Sequence, residues 1–367
     1  MIYHLPDYYE KFNCIAGKCP DSCCRGWRTI AVDEKSYEKY NDSSHEFASH
    51  IRQQIKTIDN RHFFKLEEGR CPFLNEENLC DIIIEMGENM LCTTCATYPR
   101  FVYQGSDGVY ACLTMSCPVV ADMILTREEP FEILVFDDEK NEIYDTMELP
   151  ALQIMFDKSI PFKIRLATIA ILSSDNADYA EYEAAMETIT DHQNFIGLDD
   201  IRIEFALEYL IIFERMLKKS ERNTKIVKVM SKYLKMDSDG ITDPVESLLT
   251  LYRIYEKYVQ SEAYEENEKE FTNYIAYRLY RSHHLINDKD DFNEEMFMTV
   301  VSMVAIKLIQ AMIWNEDGSI SSEDRHMVFQ CHSKALEHSE KMYGKMKDKF
   351  RDSGYIKIIN ILVSILA

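Results

Sequence analysis

Ten of the chain's eleven cysteines precede residue 118, and four of them, Cys14, Cys19, Cys23 and Cys24, fall within eleven residues. Cys71, Cys80, Cys92, Cys95, Cys112 and Cys117 complete the set, while the rest of the chain carries Cys331 alone. Such spacing reads as a disulfide framework in an oxidising compartment and as a metal or redox site in a reducing one. Met1 to Glu10 shows no basic head, apolar run or small-residue cleavage site, so a cytoplasmic chain with reduced thiols is expected. Thiolates are soft ligands that select zinc, copper(I) or iron-sulfur clusters. No histidine occurs between His62 and His192, so a site built here is all sulfur, a four-thiolate zinc or a four-thiolate cluster. Only Cys92 and Cys95 match half of a zinc knuckle, and spacing leaves open which four thiols meet. Isolated Cys331 reads as a small buried hydrophobe.

Other chemistry is thinly represented. There is no G-x-G-x-x-G, no P-loop and no Gly-x-Ser-x-Gly elbow. His283-His284 reads as polar surface, and the acidic run from Glu265 to Glu270 as a solvated face. A net charge of −22 argues against a nucleic-acid partner, which would need clustered Lys and Arg.

The elements that must hold the thiols are mixed. Residues 33–58 predict a helix with Asp33 as N-cap. Residues 61–84 predict a hairpin with one cysteine on each arm, and residues 86–99 a short helix or turn ended by Pro99. Hairpins are expected at 101–113, around the Gln104 to Gly108 turn, and at 131–144. From about residue 150 the pattern turns to long helical periods, at 201–218, 245–260, 268–283 and 292–314. The last could pass for a membrane span, but Lys307 and Gln310 interrupt it, so a buried helix and no membrane partner are expected. Residues 355–367 are apolar enough to dock on the body. The fold class is mainly α: a cysteine-rich N-terminal unit with short β-hairpins, residues 1–150, followed by an all-helical region, residues 151–367.

Four blocks, in order, resemble the flagellin lysine-N-methylases: Phe12-Asn-Cys14-Ile-Ala-Gly-Lys-Cys19-Pro-Asp-Ser-Cys23-Cys24-Arg-Gly-Trp27; Cys71-Pro-Phe-Leu74 with Leu79-Cys80; Thr94-Cys95-Ala-Thr-Tyr98-Pro-Arg100; and Ser116-Cys117-Pro118. The resemblance implies methyl transfer from S-adenosylmethionine to lysine side chains of flagellin, by a protein carrying a [4Fe-4S] cluster. It places eight cysteines on motif positions as metal ligands, Cys14, Cys19, Cys23, Cys24, Cys71, Cys80, Cys95 and Cys117, and leaves Cys92 and Cys112 as the weakest candidates. Following the third block, Tyr98 is expected to help take the amine proton and Arg100 to pair with the donor's carboxylate. Trp27 reads as core. The residues alone equally allow a non-enzymatic zinc- or iron-binding module stapled by its thiols, or a redox or electron-transfer protein.

Overall fold

The computed structural model describes residues 1–26, 29–105, 107–172, 199–217, 222–236, 241–265, 267–338, 340–356 and 361. Trp27 and most of the 355–367 segment lie outside the described residues.

The N-terminal part builds two sheets. In the larger, strand order is β5-β6-β1-β7-β8, with β1 at Ile2–Pro6, β5 at Arg100–Gln104, β6 at Val109–Leu113, β7 at Ile133–Asp137 and β8 at Glu142–Met147. Both later hairpins therefore form where the turn residues predict, and β1 joins them, parallel to β6 and antiparallel to β7. The smaller sheet orders β2 (Ala31–Val32), β4 (Arg61–Phe64) and β3 (Ile55–Ile58).

Asp33 caps as expected, its side chain accepting from Ser36 N at 3.0 Å. The single helix anticipated over 33–58 is instead two, α1 (Glu34–Asp42) and α2 (Glu46–Gln53), followed by β3. Ser43 breaks the run in extended conformation, and His45 opens α2 by accepting from Phe47 N at 3.2 Å. The hairpin anticipated at 61–84 shrinks to two isolated antiparallel bridges, Glu67 with Arg70 and Leu74 with Cys80, after which Asp81–Met86 turns into helix α3. Side chains replace the ladder there. Asn75 Oδ1 accepts from Glu77 N and Leu79 N, while Arg70 donates to the carbonyls of Leu74 and Asn75. Thr93–Thr97 forms the short helix α4, which ends before the cis Tyr98-Pro99 bond.

Pro118–Leu125 is α5, followed by α6 (Pro150–Phe156), α7 (Phe162–Leu172), α8 (Asp199–Met216), α9 (Thr224–Tyr233), α10 (Pro244–Val259), α11 (Glu268–Ser282), α12 (Lys289–Asp317), α13 (Ser322–Glu337) and α14 (Glu340–Asp352). The expected stripe on α8 is its core face: Phe205, Tyr209, Phe213 and Met216 are buried, with Ile212 and Leu217 packed beside them. Helix α12 is long and apolar enough to cross a membrane, yet its apolar window is wholly buried within the protein, which makes it the core helix that the sequence predicted. Gly318 ends α12 in the left-handed conformation at φ 75°, its N–H returning to Trp314 O, a stop that glycine adopts without a Cβ penalty.

Two apolar clusters result. One, from Ile30 to Cys92, sits under the small sheet and takes in Cys71 and Cys92. The other joins Tyr8, Phe12 and the 110–133 stretch to the helices through to Ile361. Tyr280 of α11 rivets sheet to helices, its hydroxyl donating to His4 O at 2.9 Å and Ala111 O at 3.0 Å.

Candidate functional site

All eleven cysteines are free thiols. Local backbone structure brings the motif cysteines together in a specific way. The chain at Cys24 to Gly26 lies antiparallel to that at Gly69 to Cys71, with Cys71 N bonded to Cys24 O at 2.8 Å and Gly26 N to Gly69 O at 2.9 Å. The loop before Cys19 packs on the loop before Cys80 so closely that a Cβ on Gly17 would stand 2.9 Å from Glu77 O, so only glycine fits. Cys80, Cys92 and Cys117 occupy the N-cap positions of α3, α4 and α5, where free backbone N–H groups favour a thiolate.

The thiols fall into two neighbouring groups that meet at Cys23-Cys24. Hydrogen bonding to Cys23 pulls the Cys24 thiol down, but its bond to Cys71 and burial outweigh that and push it up to about 12; Cys80 stands close by. Cys71 is pulled down chiefly by the Cys24 bond. Cys95 is raised by its bond to Cys92 and by burial, with Cys24 and Cys71 near. Cys117 is pushed up to about 12 by burial, with Cys19 and Cys14 close by. Burial likewise raises Cys19, which has Cys23 and Cys14 beside it. Cys112 stands apart against Arg281 Nη1 at 3.5 Å, and Cys331 is buried in the helical core.

Among the described residues, no three Cys, His, Asp or Glu side chains stand in the geometry of a preformed metal site. The donor chemistry does fit a thiolate-bound group: among the described residues the thiols of these loops perturb one another, as those of Cys24, Cys71, Cys92 and Cys95 do. The all-sulfur set suits a cluster or a four-thiolate zinc better than a Cys/His site.

Helix α13 fastens the cysteine loops to the helical body. Asp21, between Cys19 and Cys23, accepts from Gln330 Nε2 at 2.8 Å and Lys334 Nζ at 2.7 Å, and Gln330 also donates to Ser116 O at 2.8 Å. From Ser116, beside Cys117, a hydrogen-bonded chain runs inward. Tyr98 OH lies 3.1 Å and His338 Nε2 2.7 Å from Ser116 Oγ, Thr114 Oγ1 lies 2.9 Å from the same oxygen, and the Thr114 hydroxyl donates to Glu337. Glu337 further accepts from Tyr277 OH at 2.8 Å and pairs with Arg281 at 3.5 Å. Burial alone would push its carboxyl up; Arg281 and the hydroxyls of Ser333, Thr114 and Tyr277 more than offset this and hold it low. Tyr98 is the reverse case, its phenol raised well above the ordinary value by burial.

Glu337 closes the inner wall of a half-open cavity of about 340 Å³ between β5 and helices α11, α12, α13 and α14. The cavity also carries Arg278, Arg281, Glu295 and Lys347, with Phe101 and Tyr343 as aromatic walls. Sequence reasoning missed it, because its residues lie on five separate elements. His284, expected at the surface, is half-buried in its wall and stacks on Tyr103 with centroids 3.6 Å apart. Arg100 is elsewhere. Successive residues of a strand face opposite ways, and while Phe101 lines the cavity, the Arg100 guanidinium lies 5.5 Å from the ring centres of Tyr9 and Phe12. The acidic run also differs from expectation at its end: Glu270 is buried, pairing with Arg325 Nη2 at 2.9 Å.

Residues 150–363 match the model of the FliB lysine N-methylase C-terminal domain. The lysine-N-methylase of Salmonella typhimurium (strain LT2) is 23% identical over 404 residues, spanning 97% of this chain and 98% of that protein. That of Salmonella choleraesuis is 23% identical over the same shares. The flagellar biosynthetic protein FliU of Salmonella muenchen is 30% identical over 127 residues, 33% of this chain and 75% of that protein. No solved structure matches the chain. The chain belongs to the FliB lysine N-methylase family and is a protein-lysine methyltransferase.

Proposed function

We propose that the protein transfers methyl groups from S-adenosylmethionine to lysine side chains of flagellin in the cytoplasm, with a [4Fe-4S] cluster held by Cys14, Cys19, Cys23, Cys24, Cys71, Cys80, Cys95 and Cys117 or a subset of them. The lysine-methylase and flagellar names of the relatives support the substrate. The observation that carries the reading is the chain of hydroxyls from Tyr98 through Ser116 and Thr114 to Glu337, which links the thiol-rich loops to the cavity.

In the reaction a neutral lysine amine attacks the donor methyl, forming a C–N bond as the C–S bond breaks and the sulfonium becomes a thioether; the amine then sheds a proton. Lysine's reference pKa of ~10.4 means that the protein must favour the neutral amine and hold it in line. The proton that the amine sheds beside Glu337 passes along Thr114 and Ser116, each hydroxyl taking one proton as it gives up its own, and ends on His338 Nε2, while Tyr98, protonated throughout, holds the Ser116 oxygen in line. Glu337 stays ionised, orienting Thr114 and Tyr277 and facing the cation. A bound cluster would supply iron coordination that staples the four cysteine blocks, since methyl transfer to an amine requires no electron.

The test is methyl transfer from labelled donor to purified flagellin, using protein prepared without oxygen. Label on flagellin lysines, with Tyr98→Phe slowing turnover by ~10²-fold or more at unchanged KM, is expected. Absence of label with wild-type protein would sink the reading.

A further inference from the structure

Resting on that reading, we infer that the cavity beside Glu337 is the site of the methyl donor, and that Arg278 and Glu295 hold its amino-acid end. S-Adenosylmethionine ends in an α-carboxylate and an α-ammonium next to a sulfonium, so its pocket must offer a cation, an anion and a surface that a sulfonium can lie against. This cavity offers all three. Its volume of about 340 Å³ falls within the range of small-molecule sites.

Arg278 supplies the cation. The residue lines the cavity while only 6% exposed, and its Nη2 donates to Tyr343 OH at 3.0 Å and lies 3.8 Å from Glu295. A guanidinium held in place in this way presents a fixed positive charge to a carboxylate entering the cavity. Glu295, 3% exposed, supplies the anion. It accepts from Lys347 Nζ at 2.9 Å and Tyr343 OH at 3.1 Å, both on the same cavity wall. Phe101 and Tyr343 present aromatic surface, and cations already gather there: the Arg281 guanidinium is 4.8 Å from the Phe101 centroid and Lys347 Nζ 5.6 Å from that of Tyr343. A sulfonium is attracted to such faces in the same way. Glu337 at the inner wall places the donor at one end of the hydroxyl chain to Tyr98. Arg100 takes no part, because it sits on the far face of β5.

Gly344 provides a clean probe. It lines the cavity from α14, and a Cβ added there would meet nothing within 4 Å, so Gly344→Leu would extend into open space while replacing a poor helix former with a good one. Binding of S-adenosylmethionine, its demethylated product and free methionine is measured by calorimetry on full-length protein prepared without oxygen, with circular dichroism to confirm folding. Wild-type protein should bind the first two. Arg278→Gln should weaken both by tenfold or more, Gly344→Leu should abolish binding in a folded protein, and Arg100→Ala should change nothing. A folded Gly344→Leu that binds the donor as wild type does would overturn the site and leave the methyltransferase reading standing. Methionine binding without donor binding, or weakening by Arg100→Ala alone, would also overturn it. Wild-type protein that binds neither donor nor product would bring down the reading and the site together.

Discussion

At the scale of single residues, Glu337 is where most of the polar chemistry meets. Its carboxylate is 4% exposed and holds Arg281 and three hydroxyls. Removing one partner of a buried ion pair leaves the other charge uncompensated, which costs ~3–5 kcal/mol. Glu337→Gln should therefore lower the unfolding free energy read from denaturant melts by an amount of that order, and an unchanged value would show that Arg281 finds another partner. The eight motif cysteines, Tyr98 and Arg100 could be singled out in the sequence because they sit in compact blocks, although the Arg100 guanidinium lies against Tyr9 and Phe12 and not in the cavity. Glu337, Arg278 and Glu295 were not, since nothing local distinguishes a glutamate that will face a cavity from one that will face solvent. The signal was present only as polar residues inside apolar helical periods, as with Glu295 beside Met296 and Phe297.

Helix α13 shows how one element distributes these roles. Arg325, His326, Gln330, Ser333, Lys334 and Glu337 recur at three- and four-residue spacing, and the helix docks on α5, the cysteine loop and the cavity in turn. Burial would lower His326, but Asp122 and Glu270 outweigh it and raise its pKa to about 9. The unfolded chain releases that proton near pH 6.5. This contribution is thus fully present below about pH 6.5 and is lost as pH rises through about 9, in total on the order of 2 kcal/mol. His326→Gln should flatten the stability profile across that window; a wild-type slope retained in the variant would refute the assignment. Helical periods identified α8 and α10 to α12 closely, whereas the face that α13 turns to the thiols depends on the distant Asp21. The break at Ser43 and the helical turn of Ile82 to Ile84 were hidden for a related reason: the His45 side chain caps α2, and the Asn75 side chain closes the turn that leads into α3, against the local pattern.

Across the whole molecule, the N-terminal and helical parts share one core. Tyr8, Leu113, Met115, Val120 and Ile124 pack in the same cluster as Phe213, Tyr274 and Phe329, and β1 lies at the centre of the larger sheet. A fragment starting at residue 150 would expose this apolar surface, so it should aggregate or melt far below the full chain, while the full chain should unfold in one transition. A soluble, cooperatively folded 150–367 fragment would contradict that. The change in character near residue 150 was legible as a change in periodicity; the sharing of the core was not, because β1 meets α11 across some 270 residues of chain, as in the bond from Tyr280 OH to His4 O.

The measurement that tests the account most directly is the metal and sulfide content of protein prepared without oxygen, read with its visible spectrum as donor is added. The account predicts about four irons per chain, a broad thiolate-to-iron band, and loss of both in Cys71→Ser but not in Cys331→Ser. A colourless wild-type protein holding zinc alone would contradict it, and would make the thiols a staple for a methyltransferase that works without iron.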